Sequence, residues 1–219
     1  MRNKNIVFLG TSHIARQSLI EVKESIKEQK PDIIALELDE KRMHALMGVK
    51  KKRRMDFGSI RRIGIKGFLF ALFAEWAEKK LGKIVGVSPG SEMKQAIRIA
   101  RKESIPVALI DQDIEITLKR LSSAITFRER LNFFGDAIKS IFARKSEIEF
   151  DLSKVPDKEI IRKLTQNLRQ RYPNVYNVLI HERNIAIAKN LKSLSDANSN
   201  KKILAILGAG HVHDVSEML

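Results

Sequence analysis

The sequence contains no cysteine, which excludes disulfide bonds, thiolate metal sites and a cysteine nucleophile. It also lacks any apolar run near the roughly 20 residues that a helix needs to cross a bilayer. The longest apolar stretch, residues 67–77, is too short and includes Glu75. The apolar run after the basic N-terminus is too short for a signal peptide. We therefore expect a soluble, cytoplasmic protein, and 219 residues are enough to bury a substantial core.

Acidic residues are few relative to basic ones, so the formal net charge is +15. Ten basic residues but only one acidic residue lie between Lys41 and Lys66. Such a segment binds nucleic acid or an anionic membrane surface, or else forms a solvated loop, which is the reading we favour. Its only aromatic residue is Phe57, so bases have little to stack on and nucleic acid is a disfavoured partner.

An apolar helix is predicted from residue 65 to residue 81, directly after most of the basic segment. Its large apolar side chains, from Phe68 to Trp76, recur at helical spacing. This stripe indicates a core face or the contact of a homodimer. A basic stretch followed by an apolar helix gives one alternative, peripheral association of residues 41–77 with an anionic membrane surface.

Four short apolar runs end in chemically useful residues. The runs are 6–9, before GTSH at 10–13; 33–38, which includes Glu37 and precedes Asp39; 106–110, before Asp111; and 203–207, before GAGH at 208–211. Buried parallel strands read as continuous apolar runs, and their carboxyl ends meet at one sheet edge. We therefore predict an α/β fold with a mainly parallel central sheet flanked by helices. His13 and His211 would then lie at one crevice.

Residues 114–200 differ from the rest, because they are mostly helical in pattern and basic. Helix-like spacing covers residues 117–125, 127–142, 158–168 and 175–194. We predict a single domain in which residues 1–113 and 201–219 form the sheet core and residues 114–200 form a helical insertion.

The set of His13, Glu37 and His211 suits a divalent metal. Two neutral imidazoles and one carboxylate hold such an ion and leave room for water. A metal lowers the pKa of that water and polarises a carbonyl group, which gives hydrolysis. In the metal-free alternative, a histidine oriented by Glu37 acts as the general base. A buried Glu37 needs a cation or donors, and the simplest structural reading supplies them as an ion pair with Arg42.

Other charged residues are candidates for supporting roles. A carboxylate would orient a ligand histidine through its second ring nitrogen. The candidates are Asp39, Asp111 and Asp113. An arginine would neutralise charge on the substrate or the intermediate. The candidates are Arg42, Arg120 and Arg183. The glycine motifs lack the spacing of a dinucleotide site, and no G-x-S-x-G elbow is present, so nucleotide binding and serine hydrolase chemistry are disfavoured.

Taken together, these motifs resemble those of the TraB family (TraB/PrgY/GumN-like). The matching stretches, in family order, are GTSH at 10–13, KPDIIALELD at 30–39 with Arg42, PGSEM at 89–93, LIDQDI at 109–114 with Thr117 and Arg120, ERN at 182–184 and GAGH at 208–211. The resemblance runs nearly end to end. It departs at Gln112, where arginine is expected, and at Asn184, where the family pattern has aspartate.

The resemblance implies an activity as well as a fold. The family is grouped with the Tiki metalloproteases and the ChaN/erythromycin-esterase-like fold, which implies a metal-dependent peptidase acting on a peptide or protein substrate. Mn²⁺ or Co²⁺ would be favoured over Zn²⁺, with His13, Glu37 and His211 as ligands. Arg183 matches the arginine of a family Glu-Arg-Asp pattern. Bacterial relatives are linked to inhibition of a peptide pheromone, so the alternative is a non-catalytic protein that sequesters a peptide.

Overall fold

The computed structural model describes residues 5–11, 16–48, 90–142 and 158–219. Within these ranges the chain has the predicted α/β fold, a parallel sheet flanked by helices. The strands are β1 (Ile6–Thr11), β2 (Ile33–Leu36), β3 (Val107–Leu109) and β4 (Ile203–Gly208). The helices are α1 (Arg16–Gln29), α2 (Glu40–Leu46), α3 (Ser91–Lys102), α4 (Ile114–Ala124), α5 (Phe127–Phe142), α6 (Lys158–Arg171), α7 (Pro173–Tyr176), α8 (Glu182–Asp196) and α9 (Ala209–Glu217). A π-helical turn, Asn177–His181, joins α7 to α8.

Strand β4, the last in the sequence, lies inside the sheet. The strand order is β1-β4-β2-β3, and each neighbouring pair is parallel. Ile203 is in register with Ile6 of β1 on one side and with Ile33 of β2 on the other. At the other end of β4, Gly208 is opposite Thr11. The carboxyl ends of β1, β4 and β2 therefore lie at one edge of the sheet.

The sheet is apolar on both faces because helices cover both of them, as the surroundings of β4 show. Its side chains at Leu204 and Ile206 are buried in a core shared with α1 and α3. Those at Ile203, Ala205 and Leu207 are buried in a second core shared with α8 and α9. Successive side chains of a strand point to opposite faces, so a strand covered on both sides needs a continuous apolar run.

The start of the basic segment forms a helix where the sequence reading favoured a loop. Helix α2 begins after Asp39, whose Oδ1 accepts the N–H groups of Lys41 at 2.8 Å and Arg42 at 3.0 Å. A carboxylate at this position satisfies backbone donors that the first helical turn leaves without partners. The remainder of the basic segment, residues 49–66, lies outside the described residues, as does the apolar helix predicted for 65–81.

The long helix predicted over 175–194 is interrupted near its start. In the π-helical turn the N–H of Glu182 donates to the carbonyl of Asn177, five residues earlier. Between β3 and β4 the described residues form helices and this turn, with no strand. None of the helices in the described ranges is long and apolar enough to cross a membrane.

Candidate functional site

Glu37 is a buried charge at the carboxyl edge of the sheet. It directly follows β2, and its N–H donates to the carbonyl of Ile206 at 3.1 Å, which keeps its backbone against β4. The residue is 2% exposed. Its Oε2 accepts the N–H of Gly208 at 2.6 Å, and its Oε1 accepts a hydrogen bond from Nη2 of Arg183. These donors offset the cost of removing the carboxylate from water.

His211 reaches Glu37 from the neighbouring strand. Strand β4 ends at Gly208, α9 begins at the next residue, and the buried His211 lies in its first turn. The Nε2 atom of His211 is 3.4 Å from Oε1 of Glu37 and 3.4 Å from Nη1 of Arg183. Its Nδ1 is 2.5 Å from Oδ1 of Asn184. Polar atoms therefore face both ring nitrogens.

Asp111 follows β3 by two residues and is shared by two arginines. Its side chain has no exposed surface. Nη2 of Arg183 lies 2.5 Å from its Oδ2 and Nε lies 3.3 Å from its Oδ1, while Arg42 donates to Oδ2 through Nη2. Burial would raise the pKa of Asp111, but the hydrogen bonds and charge of Arg183, and then of Arg42, outweigh it and hold that pKa below its ordinary value. Asp111 is therefore an anion at neutral pH.

Arg183 connects the two buried carboxylates. Its guanidinium donates to Glu37 and to Asp111, and Nη1 also donates to the carbonyl of Leu179 in the π-helical turn at 3.3 Å. Burial would lower the pKa of Arg183, yet the charge of Glu37 and the hydrogen bonds and charge of Asp111 raise it above its ordinary value. Arg183 is thus a fixed positive charge beside the ring of His211.

Arg42 is the more accessible of the two arginines, with a side chain that is 29% exposed. Its Nε donates to Oδ2 of Asp39 at 2.6 Å, and its Nη2 donates to Asp111. Glu37 is paired with Arg183 instead, so the simple Arg42–Glu37 ion pair is not what these residues form. The cluster of three carboxylates and two guanidinium groups carries one excess negative charge.

Other candidate residues have different surroundings. Arg120 pairs with Glu182 at 2.6 Å, and its side chain is 55% exposed. Asp113 caps the start of α4 and pairs with Lys41. His13 lies outside the described residues, although β1, the strand that precedes it, is hydrogen-bonded to β4.

Three partners in the site were not identified from the sequence. The sequence predicted a carboxylate beside the second ring nitrogen of a histidine, but Nδ1 of His211 faces the amide of Asn184. That amide donates through Nδ2 to Oδ2 of Asp214 at 3.0 Å. The third partner is the N–H of Gly208. One signal was available, because Asp214 lies three residues after His211 and therefore on the same face of a helix.

The donor atoms present fit a divalent cation in part. Oε1 of Glu37 and Nε2 of His211 converge to 3.4 Å. Imidazole and carboxylate ligands suit Mn²⁺, Co²⁺ and Zn²⁺. The described ranges hold no group of three or more His, Asp or Glu side chains placed to bind a metal. His13, the third ligand that the sequence predicts, is not in those ranges.

Fold and site together define a class, an α/β protein with a buried glutamate–histidine pair at the carboxyl edge of a parallel sheet. The chain belongs to the TraB/PrgY/gumN family, whose family model matches residues 2–219. This result confirms the resemblance drawn from the motifs.

Similar proteins come from archaea and animals. The uncharacterized protein MJ1365 of Methanocaldococcus jannaschii is 34% identical over 98% of this chain and 53% of its own length. The TraB domain-containing protein of Homo sapiens is 21% identical over 97% of this chain and 62% of its own length. The corresponding protein of Mus musculus is also 21% identical. This chain therefore spans only about half to two thirds of these relatives.

Proposed function

We propose that this protein is a divalent-metal-dependent hydrolase that cleaves peptide bonds, with His13, Glu37 and His211 as the metal ligands. The observation that carries the proposal is the convergence of Oε1 of Glu37 and Nε2 of His211 at the carboxyl edge of β2 and β4. The excess negative charge of the surrounding cluster supports the binding of a cation. The position of β1 beside β4 supports the inclusion of His13.

The side chains present would divide the work as follows. Glu37 and His211 would hold the ion, which when bound would supply the Lewis acidity that activates water and polarises a carbonyl group. Arg183 presents a fixed positive charge beside them, suited to an oxygen on which negative charge develops. Asp111 holds Arg183 in place. Arg42, which is partly exposed, would contact a carbonyl or carboxylate group of the substrate.

Metal uptake tests the proposal directly. We expect the purified chain to bind Mn²⁺ or Co²⁺ in calorimetry. We also expect His13→Ala, Glu37→Gln and His211→Ala each to weaken binding by at least the roughly 10–100-fold that is typical of losing even an outer partner of a metal ligand. The matched control is His213→Ala, which removes an exposed histidine two residues from His211 on the same helix. If the purified chain takes up no Mn²⁺, Co²⁺ or Zn²⁺, the proposal is refuted.

Activity requires its own measurement. We expect digestion of a peptide library, supplemented with Mn²⁺, to give cleavage by the wild type and none by His13→Ala or His211→Ala. Both variants should remain folded. Metal binding without cleavage of any peptide would refute the peptidase part while leaving the metal site in place.

The alternative function is a non-catalytic protein that binds and sequesters a peptide. One observation favours it. Both oxygens of Glu37 already accept hydrogen bonds, from Gly208 and Arg183, so this buried carboxylate has protein partners without a metal ion. The two functions make opposite predictions. Peptide binding that survives both a chelator and His211→Ala would support sequestration.

The sequence also leads to proposals about the protein's location and its association with other molecules. We propose a cytoplasmic protein that forms a homodimer or associates peripherally with an anionic membrane surface through residues 41–77. Residues 49–77 lie outside the described ranges, so these proposals still depend on the sequence alone.

A further inference from the structure

A series of hydrogen-bonded polar side chains holds the ring of His211 at Nδ1, the ring nitrogen that does not face Glu37. Asn184, on α8, has no exposed surface. Its Nδ2 donates to Oδ2 of Asp214 at 3.0 Å, and its Oδ1 lies 2.5 Å from Nδ1 of His211. Asp214 and His211 lie one turn apart on α9, so the three residues link two helices that pack on the same face of the sheet.

The chemistry of the three groups fixes the direction of each hydrogen bond. An ionised carboxylate can only accept, so the NH₂ group of Asn184 must face Asp214. The carbonyl oxygen of Asn184 then faces His211, and a carbonyl oxygen also only accepts. The proton on this side must therefore belong to the ring, at Nδ1.

The contacts at the other ring nitrogen agree with this direction. Nη1 of Arg183, which is always a donor, lies 3.4 Å from Nε2 of His211 and thus faces a lone pair without conflict. Oε1 of Glu37 would prefer a proton at Nε2, but its distance of 3.4 Å is longer than the roughly 2.7–3.2 Å of a good N–H···O hydrogen bond.

We propose that Asn184 and Asp214 are positioning residues that hold the neutral ring of His211 as its Nδ1–H tautomer, so that the lone pair lies on Nε2. A metal ligand must offer such a lone pair. The role of the lone pair as a metal ligand rests on the proposed function, whereas the tautomer itself does not. Asp214 acts through Asn184, because without a fixed acceptor the amide is free to turn its NH₂ group toward the ring.

Nitrogen NMR of the metal-free chain reads the tautomer directly. With ¹⁵N-labelled histidine, and with the His211 signals assigned by their loss in His211→Ala, we expect a pyrrole-like Nδ1 and a pyridine-like Nε2 at a pH where the ring is neutral. A pyridine-like Nδ1 in the wild type would overturn the proposal. This spectrum needs no variant other than the one used for assignment.

Two variants test whether Asn184 sets the tautomer. Asn184→Leu removes the acceptor, so we expect the proton to move to Nε2, where Glu37 accepts it, and the affinity for Mn²⁺ to fall about 10–100-fold. The double variant Asn184→Asp with Asp214→Asn reverses the second hydrogen bond but keeps an acceptor at Nδ1. It should keep the wild-type tautomer and bind Mn²⁺ within about threefold of the wild type, well inside that loss.

The outcomes separate this proposal from the proposed function. An unchanged tautomer in Asn184→Leu, or a reversed one in the double variant, would overturn the inference even if metal binds. If Asn184→Leu does not fold, the wild type and the double variant still decide. The expected tautomer in a chain that takes up no metal would uphold the hydrogen-bond direction and refute the metal site.

Discussion

At the scale of single residues, Asp111 is a buried charge that two arginines share. Its side chain has no exposed surface and accepts hydrogen bonds from both Arg183 and Arg42. Removing one partner of a buried charge cluster leaves the others uncompensated, which costs more than the cluster contributes when it is complete. Asp111 therefore supports the arrangement of both arginines around the site.

Asp111→Asn should destabilise the protein in a pH-dependent way. At neutral pH we expect a loss of about 3–5 kcal/mol in the free energy of unfolding, because the largely buried Arg183 and the partly exposed Arg42 lose the anion that they share. The pKa of Asp111 is lower in the folded state than in the unfolded state, so its ionisation stabilises the fold above its ordinary pKa of 3.8 and that contribution fades as the pH falls further.

Denaturant unfolding of the wild type and Asp111→Asn from neutral to acidic pH checks this expectation. The gap between them should be full above about pH 5 and should shrink as the pH falls below about 4. A gap that is constant across this range would show that Asp111 contributes through shape alone.

The hydrogen-bond partner of a site residue was harder to predict from the sequence than the residue's place in the sheet. Three of the four apolar runs form β2, β3 and β4 and place Glu37, Asp111 and His211 near the carboxyl edge of the sheet, because a strand delivers its next residues to that edge. The partner of Glu37 was not predictable in the same way. Arg183 lies 146 residues from Glu37, and its direction depends on how α8 packs across the sheet.

At the scale of secondary structure, β1 and α9 approach so closely that a side chain at Gly10 would be tightly packed against α9. A Cβ atom on Gly10 would lie 3.2 Å from Cγ2 of Val212 and 3.3 Å from the backbone Cα of Ala209. The side chain of Val212 can adjust slightly, but the backbone of Ala209 is held by the end of β4. The glycine of GTSH thus lets the start of α9 pack against β1.

Two glycine substitutions should have opposite effects. Gly10→Ala is expected to lower the free energy of unfolding by about 1–3 kcal/mol, because it overpacks the contact with α9. Gly210→Ala, the matched control in α9, has no atom within 4 Å of the new Cβ and should raise it by roughly 0.5–1 kcal/mol through helix propensity. Thermal unfolding of both variants checks the signs, and equal effects would contradict the packing argument.

The π-helical turn could not be predicted from the spacing of apolar residues. Apolar spacing runs through residues 175–194 as if for one helix, since a single wider turn hardly disturbs the period over such a length. Yet the carbonyl of Leu179 in this turn accepts a hydrogen bond from Arg183. Only the three-dimensional course of the backbone shows that this site residue is supported from the turn.

At the scale of the whole molecule, the described site pairs nearly all of its charges, while the chain as a whole carries +15. Repulsion among exposed basic residues is screened by salt, whereas pairs buried as deeply as Asp111 and Arg183 are screened much less. Ionic strength should therefore change the repulsion among exposed basic residues, but it should hardly change the stability that the buried charge cluster contributes.

Raising the salt concentration should stabilise the protein. Between low ionic strength and about 0.5 M KCl, where the Debye length falls well below 10 Å, we expect the melting temperature to rise. A gain of about 1 kcal/mol would correspond to roughly 2–4 °C for a chain of this size. The stability gap between the wild type and Asp111→Asn should stay nearly constant in the same series. A melting temperature that falls with salt would mean that attractive surface pairs outweigh the net repulsion.

The central position of β4 also has a consequence for synthesis on the ribosome. Until residues 203–208 have emerged, β1 and β2 have no strand between them, and neither face of the sheet can close. The same residues bring Gly208 and His211 to Glu37, so completion of the fold and completion of the site are one event. A nascent chain that stalls before Ile203 would therefore lack these contacts and would also expose unpaired strand edges, which makes it a substrate for quality control.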